Sequence, residues 1–357
     1  MKKALIAMSG GVDSSVAAWL MKKEGYDCIG AMMKLSENAN TASADDGSGK
    51  KQQVTDDAHA IAKQLDMPYY VFDLKDQFFD LVIKRFVDSY QNGLTPNPCI
   101  ECNRNLKFGL LLKRSLEYGC DCMATGHYAQ IENSNGRYLL RKGTDAQKDQ
   151  SYVLYSLTQD QLAMARFPLG KMTKTEVREI AIEQGFANAN KNESQDICFV
   201  PDGKYANFIE KLFATPLKKG RITDKQSNDL GEHCGVYKYT IGQRKGLGLS
   251  SKERMYVIEI DPLKNAIIVG KEDELYSSTL TARSINLIAV DKLNEPLKVT
   301  AKIRYNQNEQ PATVWQLDDD MLRVEFDKPQ RAATNGQSVV LYDHDMVIGG
   351  GTIASVG

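Results

Sequence analysis

The residues best suited to chemistry form the hexapeptide Ser9–Ser14, Ser-Gly-Gly-Val-Asp-Ser, which we call the cradle. The apolar run Ala4–Met8 precedes it and the helix formers Val16–Met21 follow it, an order that predicts a strand, a tight turn and a helix N-terminus. The two glycines allow backbone N–H groups to approach a ligand, and the helix dipole favours an anion there. Asp13 and the serines after it are expected to supply capping oxygens and hydroxyl donors. The cradle is therefore predicted to bind phosphate.

Three of the seven cysteines lie in predicted loops. Cys99 and Cys102 form a C-x-x-C pair, and Cys198 lies far downstream. A thiol at a helix N-terminus is acidified, because the dipole stabilises the reactive thiolate. We expect a helix to begin near Asn103, which would place Cys102 in this position. The remaining cysteines are expected to be structural: Cys28, Cys120, Cys122 and Cys234.

The same three cysteines are also compatible with a metal site. Thiolates from Cys99, Cys102 and Cys198 would suffice for an iron–sulfur cluster with one open position. A zinc site would need a fourth ligand, such as His127 or Cys234. The C-x-x-C spacing is only moderately specific, so the reactive-thiol and metal interpretations both stay open at this point.

Composition limits the class of protein. The 357 residues are 42% hydrophobic and 25% charged, with a formal net charge of -1, which is typical of a soluble protein of two or three domains. Because no global positive charge is present, any RNA contact has to come from local basic patches. No apolar run reaches membrane-spanning length, and Met1–Lys3 leads straight into a strand without a signal-peptide cleavage region. We expect a cytoplasmic location with reduced cysteines.

Strands and helices alternate in the first half of the chain, which predicts an α/β fold with a doubly wound parallel sheet. Ligands of such sheets bind beyond the carboxyl ends of the strands. The spacing of Thr173 and Glu176 matches a capping box and predicts the start of a helix. The polar residues 36–53 are predicted to form a mobile loop.

After about residue 215 the pattern changes to short alternating strands, with a hairpin predicted around Pro262. This pattern favours a small central domain followed by an antiparallel β-barrel. We place the domains at 1–200 for the α/β domain, 201–275 for the central linking domain and 276–357 for the barrel.

The cradle resembles the PP-loop of ATP pyrophosphatases, in the adenine nucleotide alpha hydrolase-like class, which split ATP into AMP and pyrophosphate while adenylating a substrate oxygen. A set of ordered motifs spanning nearly the whole chain is similar to those of tRNA-specific 2-thiouridylases. The motifs are Ser9–Ser14, Thr95–Asn103, Lys107–Gly109, Ala124–Ala129, Lys148–Tyr152, Ile197–Phe199 and Tyr239–Gly246. The resemblance implies an N-terminal PP-loop catalytic domain, a central domain and a tRNA-binding barrel.

The resemblance also implies an activity, an ATP-dependent tRNA-uridine 2-sulfurtransferase that converts a wobble uridine to 2-thiouridine. Cys102 would be the nucleophile and Cys198 the persulfide carrier, and turnover would leave a disulfide between them. ATP, with Mg²⁺, would be held by Ala7, Met8, Ser9, Gly10, Gly11, Val12, Asp13, Ser14, Met33 and Gly126. The target base and tRNA would be contacted by Asn97, Pro98, Cys99, His127, Lys148, Asp149, Gln150, Arg304, Tyr305 and Gln337. The implied partners are tRNA and a sulfur-donating protein such as a cysteine desulfurase or a sulfur relay protein, with no membrane.

One position departs from the family pattern. Cys99 stands where many members have an aspartate that is a candidate acid/base near the target, and Glu101 and Asp196 are the alternative proton acceptors. Arg304 and Tyr305 independently suit phosphate contact and base stacking, although such pairs are also common on solvated strand surfaces.

Three other functions remain as alternatives. Another PP-loop ATP pyrophosphatase acting on a small molecule would explain the cradle, but not the cysteines and the barrel together. A non-enzymatic persulfide carrier would need the cysteines and not the cradle, whereas a tRNA-binding module with a decayed catalytic half would need neither. ATP binding and the dependence of pyrophosphate release on tRNA discriminate among them.

Overall fold

Alternating strands and helices build the first part of a computed structural model that describes residues 1–35, 53–191, 197–200, 203–213, 218–250 and 253–357. Residues 36–52 of the predicted loop 36–53 lie outside the described residues, and so does Asp196. The α-helices are α1 (Val12–Lys23), α2 (Gln53–Gln64), α3 (Lys75–Phe78), α4 (Lys84–Gln91), α5 (Pro98–Glu101), α6 (Leu112–Glu117), α7 (Ser151–Leu154), α8 (Gln159–Met164), α9 (Lys174–Glu183) and α10 (Tyr205–Phe213). Phe79–Ile83 and Cys102–Leu111 are π-helical, and Val236–Lys238 and Glu272–Leu275 are 3₁₀-helical.

The strands follow in chain order. They are β1 (Lys3–Ala7), β2 (Asp27–Lys34), β3 (Tyr69–Asp73), β4 (Cys122–Ala124), β5 (Ala129–Ser134), β6 (Arg137–Lys142), β7 (Ala165–Arg166), β8 (Gly220–Thr223), β9 (Asp229–His233), β10 (Tyr256–Asp261), β11 (Ala266–Gly270), β12 (Tyr276–Leu287), β13 (Leu297–Lys302), β14 (Gln310–Asp318), β15 (Met321–Arg331), β16 (Ser338–Asp343) and β17 (Met346–Val356).

The described chain divides into two compact units. Unit 1 contains Met1–Val82, Cys99–Gly203 and Asp345–Val347, and unit 2 contains Ile83–Pro98, Lys204–His344 and Ile348–Gly357. The cradle and the three cysteines of interest therefore belong to unit 1, whereas Arg304, Tyr305 and Gln337 belong to unit 2.

A parallel sheet of order β3-β2-β1-β4-β7 forms the centre of unit 1, and every neighbouring pair in it is parallel. Ala4, Leu5 and Ile6 of the central strand β1 are fully buried, as expected for a strand covered on both faces. The predicted parallel α/β fold is confirmed. The chain winds from β1 to β2 and β3 on one side and continues to β4 and β7 on the other. The carboxyl ends of β1 and β4 therefore flank the switch point where such sheets bind ligands.

Helix α9 begins with the predicted capping box. The Thr173 hydroxyl accepts a hydrogen bond from the Glu176 N–H, and the Glu176 carboxylate accepts one from the Thr173 N–H at 2.6 Å. These bonds satisfy two backbone donors at the helix start and fix the position of Lys174, the first residue of α9.

Unit 2 is antiparallel apart from one pairing. A sheet of order β10-β11-β8-β9 contains the predicted hairpin of β10 and β11, and only β11 and β8 pair in parallel. The strands β12-β15-β14-β13-β16-β17 form a second sheet that the pairing of β12 with β17 closes into a barrel. The predicted central domain and antiparallel barrel are confirmed as fold types. No helix in the described ranges is long and apolar enough to span a membrane.

Candidate active site

The cradle turns the chain from the end of β1 into α1. Gly10 has φ +74°, a left-handed conformation that glycine adopts without strain. The Ser9 N–H donates to Ser14 Oγ at 3.2 Å, and Ser14 Oγ donates to the Gly11 carbonyl at 2.9 Å. Asn188, which is buried, donates from Nδ2 to the Gly10 carbonyl at 3.1 Å. The cradle is thus held from its own helix and from a distant residue.

The predicted capping of α1 by Asp13 and the following serines is wrong. The N-cap residue is Gly11, and no side chain caps the helix. The hydroxyls of Ser14 and Ser15 donate backwards to the Gly11 carbonyl instead. Because the first N–H groups of a helix lack partners within the helix, this uncapped terminus keeps donors and the positive dipole end for an anion.

The Asp13 carboxylate points to a tyrosine and a lysine instead of capping. Its Oδ1 accepts hydrogen bonds from Tyr128 Oη and from Lys174 Nζ, both at 2.7 Å. The Lys174 side chain is 11% exposed and that of Asp13 is 31% exposed. The main-chain N–H of Lys174 donates to Asp145. The cradle string contains no lysine, and this ion pair brings a cation to it from α9.

Gly126 follows β4 and packs directly against the start of α1. A Cβ atom at this position would lie 2.8 Å from the Asp13 carbonyl carbon and 2.9 Å from the Ser14 nitrogen. Only glycine permits this approach without a backbone shift. Met33, the other predicted ATP contact outside the cradle, lies near the carboxyl end of β2. Both predicted residues therefore lie at the ligand-binding edge of the sheet.

The helix that carries Cys102 starts earlier than predicted. It begins at Pro98 in α5, continues as the π-helical segment Cys102–Leu111 and ends in α6. Cys102 thus lies beyond the first turn, where the dipole effect has faded, and burial raises the pKa of its thiol. The predicted acidification of Cys102 by a helix N-terminus is wrong.

Lys107 is the cation that acts on all three cysteines. A π-helix closes each turn between residues five apart, so Lys107 lies one turn beyond Cys102. Burial raises the thiol pKa values of Cys99 and Cys102, and the charge of Lys107 lowers both. The pKa of Cys198 is raised to about 12, by burial first and then by Cys102 and Cys99, while the charge of Lys107 lowers it. The three thiols are therefore close enough to influence one another.

Part of this cluster is open to solvent. Cys99 and Cys198 are exposed and Cys102 is partly buried, although nearby protein atoms still desolvate the sulfurs. No group of three His, Cys, Asp or Glu side chains in the described ranges is arranged to hold a metal ion. The iron–sulfur and zinc alternatives therefore have no support among the described residues. Glu101, an alternative proton acceptor, accepts from Asn105 Nδ2 at 2.9 Å.

His127 lies in the loop after β4 and contacts Lys107. Its Nε2 lies 3.3 Å from Lys107 Nζ, and its Nδ1 lies 2.6 Å from Thr125 Oγ1. Because an ammonium group can only donate, Nε2 is the acceptor and Nδ1 carries the proton. Burial, aided by Lys107, holds the pKa of His127 well below its usual range. His127 is buried and neutral, and its contact with tRNA stays a prediction.

The other predicted tRNA residues of unit 1 support the same loops. Asp149 is buried and accepts hydrogen bonds from the N–H groups of Gly143 and Ser151 and from the Ser151 hydroxyl. Gln150 and Tyr128 exchange hydrogen bonds, through the Tyr128 N–H to Oε1 at 3.0 Å and the Gln150 N–H to the Tyr128 carbonyl at 2.9 Å. Lys148 is partly buried. Gln150 thus orients the tyrosine that contacts Asp13.

The remaining predicted tRNA residues lie in unit 2, and one of them, Gln337, contacts the segment that precedes α5. Gln337 Nε2 donates to the carbonyls of Thr95 and Pro96, at 2.9 and 3.4 Å, directly before Asn97 and Pro98. Arg304 and Tyr305 lie beyond the end of β13, so the interpretation as a strand surface is wrong. The Arg304 guanidinium donates to the Ala332 carbonyl and to Thr334 Oγ1, and Tyr305 is 37% exposed.

Sequence reasoning missed four residues of this site. Tyr128 and Lys107 lie inside motifs noted in the sequence, and Lys174 lies inside the capping box. The sequence therefore pointed to these segments but not to the contacts that the three side chains make. Asn188 gave no sequence signal. Its Oδ1 is buried and accepts no hydrogen bond from any described residue.

Family models and curated relatives cover most of the chain. Residues 2–202 match a model described as a tRNA methyl transferase HUP domain, residues 206–271 a tRNA methyl transferase PRC-barrel domain, and residues 277–353 an aminomethyltransferase beta-barrel domain. The tRNA-specific 2-thiouridylase MnmA of Clostridioides difficile (strain 630) is 47% identical over 354 residues, 99% of this chain and 98% of that protein. The proteins of the same name from Halothermothrix orenii and Clostridium acetobutylicum are 48% and 46% identical, each over 99% of both chains.

Proposed function

This chain belongs to the family of tRNA-specific 2-thiouridylases, and we propose that it is a tRNA-uridine 2-sulfurtransferase that uses ATP to convert a wobble uridine to 2-thiouridine. One observation supports the proposal: the segment Thr125–His127 contacts the cradle on one side and Lys107, the cation that acts on the three thiols, on the other. Gly126 packs against Asp13, and His127 contacts Lys107. Nucleotide and sulfur chemistry would thus meet at one three-residue loop.

In the first step, the uridine C2 oxygen attacks the α-phosphate of ATP, and the bond to pyrophosphate breaks. The adenylate then turns the C2 oxygen into a good leaving group. The uncapped N-terminus of α1 and the cation of Lys174 support a role of the cradle in stabilising the departing pyrophosphate. Mg²⁺ bound with ATP would neutralise phosphate charge. Asp13 could hold it, since its Oδ2 makes no hydrogen bond with a described residue.

In the second step, sulfur replaces the activated oxygen. The terminal sulfur of a Cys198 persulfide forms the bond to C2, either directly or as hydrosulfide released when Cys102 attacks the persulfide, and AMP leaves. Attack of the Cys102 thiolate on the inner sulfur is ordinary thiol–disulfide exchange and leaves a Cys102–Cys198 disulfide. A dithiol or thiol reductant then restores both thiols. Lys107 would stabilise the anionic sulfur species, because it lowers the pKa of each thiol.

We propose that a protein donor, such as a cysteine desulfurase or a sulfur relay protein, supplies the sulfur. Cys198 is exposed, which supports direct delivery of sulfur to this residue. A cytoplasmic location is part of the proposal, because the chemistry needs Cys102 and Cys198 in the reduced state at the start of each cycle.

The test is mass spectrometry of nucleosides from a tRNA transcript incubated with ATP, Mg²⁺ and a persulfide donor. Cys102→Ser and Cys198→Ser are each expected to abolish 2-thiouridine while ATP binding survives, and the exposed Cys234→Ser is the matched control. Asp13→Ala is expected to slow tRNA-dependent pyrophosphate release.

Three outcomes would contradict the proposal. Full thiolation by either active-site serine variant would remove the cysteine assignment. Pyrophosphate release that does not depend on tRNA would favour a small-molecule PP-loop enzyme. Sulfur transfer without any ATP binding would favour a persulfide carrier.

A further inference from the structure

One motif of the resemblance, Tyr239–Gly246, has no place in the chemistry above. It lies in unit 2, and its last residues enter a loop that leads back to β10. Tyr239 at its start and Leu247, the residue after its end, are buried in a core with Val257 and Ile267. The apolar ends are therefore accounted for by packing, whereas the polar middle of the motif is not.

Hydrogen bonds hold this loop in one conformation. The Gly242 N–H donates to the Val257 carbonyl at 2.8 Å, and the Val257 N–H donates to the Gln243 carbonyl at 2.9 Å. Gln243 also bonds within the loop, where its Oε1 accepts from the Thr240 N–H and its Nε2 donates to the Lys245 carbonyl. Because these hydrogen bonds hold the loop backbone against a strand, the backbone positions that carry its charged side chains are fixed.

The loop borders a cavity of about 300 Å³ whose lining includes Arg244, Gly246, Gly248 and Arg254. Both arginines are exposed, and neither forms an ion pair or hydrogen bond with any residue that the structure describes. The acidic residue at the cavity, Glu253, has its own partner, Lys271, at 2.9 Å. The cavity thus carries two uncompensated guanidinium groups.

The backbone adds donors to this positive charge. Gly246 has φ +77° and Gly248 has φ +68°, and the N–H group of neither donates to a described residue. Turns with residues in the left-handed conformation form concavities in which successive N–H groups bind anions. Guanidinium groups match phosphate oxygens in a two-pronged geometry.

We propose that this cavity is a second binding site for tRNA, at which Arg244 and Arg254 contact backbone phosphates. The inference rests on the proposed function, because it takes tRNA as the substrate. The chain as a whole carries a net charge of -1, so contact with a polyanion needs local patches of this kind. None of the described residues that line the cavity is aromatic. A base would have no ring to stack on, so the lining suits phosphate and not a free nucleotide.

The experiment measures the affinity of an unmodified tRNA transcript at a series of KCl concentrations. Arg244→Gln and Arg254→Gln are each expected to lower the slope of log affinity against log salt by about 0.7–0.9, since each removes one phosphate contact. Affinity near 0.15 M salt is expected to fall by about three- to tenfold. Arg244→Lys keeps the charge and is expected to keep most of the slope. The matched control is Arg221→Gln, which changes an exposed arginine on β8, in the sheet that also contains β10.

The inference is overturned if the slopes of the glutamine variants equal that of the wild type, or if Arg221→Gln changes the slope as much as Arg244→Gln. Thiolation at saturating tRNA separates this result from the proposed function. A wild type that binds tRNA through the arginines but never forms 2-thiouridine would refute the function and keep the site. If the wild type forms 2-thiouridine and the slopes of the arginine variants are unchanged, the function is kept and the second binding site is refuted.

Discussion

Asp13 and Lys174 form an ion pair of 2.7 Å between the first turn of α1 and the first residue of α9. The pair brings a positive charge to a phosphate cradle whose own sequence has none. Tyr128 shares the same carboxylate oxygen and lies within reach of the ammonium, with Lys174 Nζ 5.9 Å from the centre of its ring. The capping box at Thr173 fixes the start of α9 and with it the position of Lys174. A local helix signal therefore places a positive charge beside a loop that is distant in sequence.

Lys174→Met is expected to weaken ATP binding about tenfold or more, because a hydrogen bond to a charged group contributes roughly 1.5–3 kcal/mol. It also leaves Asp13 without its cation. Isothermal titration with ATP and with AMP checks this, and the loss is expected to be larger for ATP. Lys171→Met, an exposed lysine on the turn before α9, removes the same charge and is expected to bind ATP normally. Equal ATP affinity in both variants would mean that Lys174 only holds Asp13.

Gly126→Ala is expected to disturb the cradle. The added Cβ would meet backbone atoms of Asp13 and Ser14 at 2.8–2.9 Å, and overpacking against backbone costs about 1–3 kcal/mol. Gly11→Ala is the informative comparison, because its Cβ would meet only Ser9 Oγ at 3.5 Å and its φ of -91° suits any residue. Urea unfolding of the two variants checks the difference. A normal midpoint for Gly126→Ala would show that α1 can move away from the loop after β4.

Local patterns in the sequence were enough for the elements that hold the site. The strand, turn and helix around the cradle, the capping box of α9 and the hairpin of β10 and β11 all depend on neighbouring residues, and all three are present. The parallel order of the sheet followed from the alternation of strands and helices. Such features are encoded within short stretches of chain.

Most of what the sequence did not predict depends on long-range packing. The start of the Cys102 helix at Pro98 is the exception, because proline at the first helical position is itself a local signal. The π-helical segment that relates Cys102 to Lys107 has no sequence pattern. The raised thiol pKa values come from burial, which follows only from the assembled unit. The contact of Asp13 with Lys174 joins residues that no periodicity relates.

The buried neutral state of His127 predicts a pH dependence of stability. Because its folded pKa is lowered, the unfolded chain binds the proton first as the pH falls below about 6.5, the usual value for histidine. The stability contributed by neutral His127 is therefore present above this pH and is lost below it, by up to about 1.4 kcal/mol per pH unit. His127→Gln is expected to show a flatter dependence.

The measurement is urea unfolding at pH values between 7.5 and 5, with Trp19 fluorescence as the signal. In a Trp315→Phe background this signal reports the stability of unit 1. His344→Gln is the control, since His344 is 94% exposed. The burial of His233 also lowers its pKa, but this residue lies in unit 2. Parallel pH profiles for the wild type and His127→Gln would contradict the assignment of a neutral interior histidine.

Gln337→Ala is expected to loosen the segment that leads into α5. The Gln337 amide donates to the carbonyls of Thr95 and Pro96, and the Thr95 N–H donates to the Asn335 carbonyl at 2.9 Å. Loss of the two side-chain bonds costs about 1 kcal/mol, and hydrogen exchange at the Thr95 amide is expected to speed up about fivefold at that energy. Gln337→Glu cannot donate and is expected to behave similarly.

Gln316→Ala is the matched variant on the same barrel, because its amide donates to the Asp318 carbonyl at 3.0 Å and not to the segment before α5. Thr95 exchange is expected to stay at the wild-type rate in this variant. If Gln337 acts by holding the segment before α5, Gln337→Ala is expected to slow thiolation and leave tRNA affinity unchanged. Weaker tRNA affinity with unchanged Thr95 exchange would instead make Gln337 a direct RNA contact, because the two roles act on different atoms of the same amide.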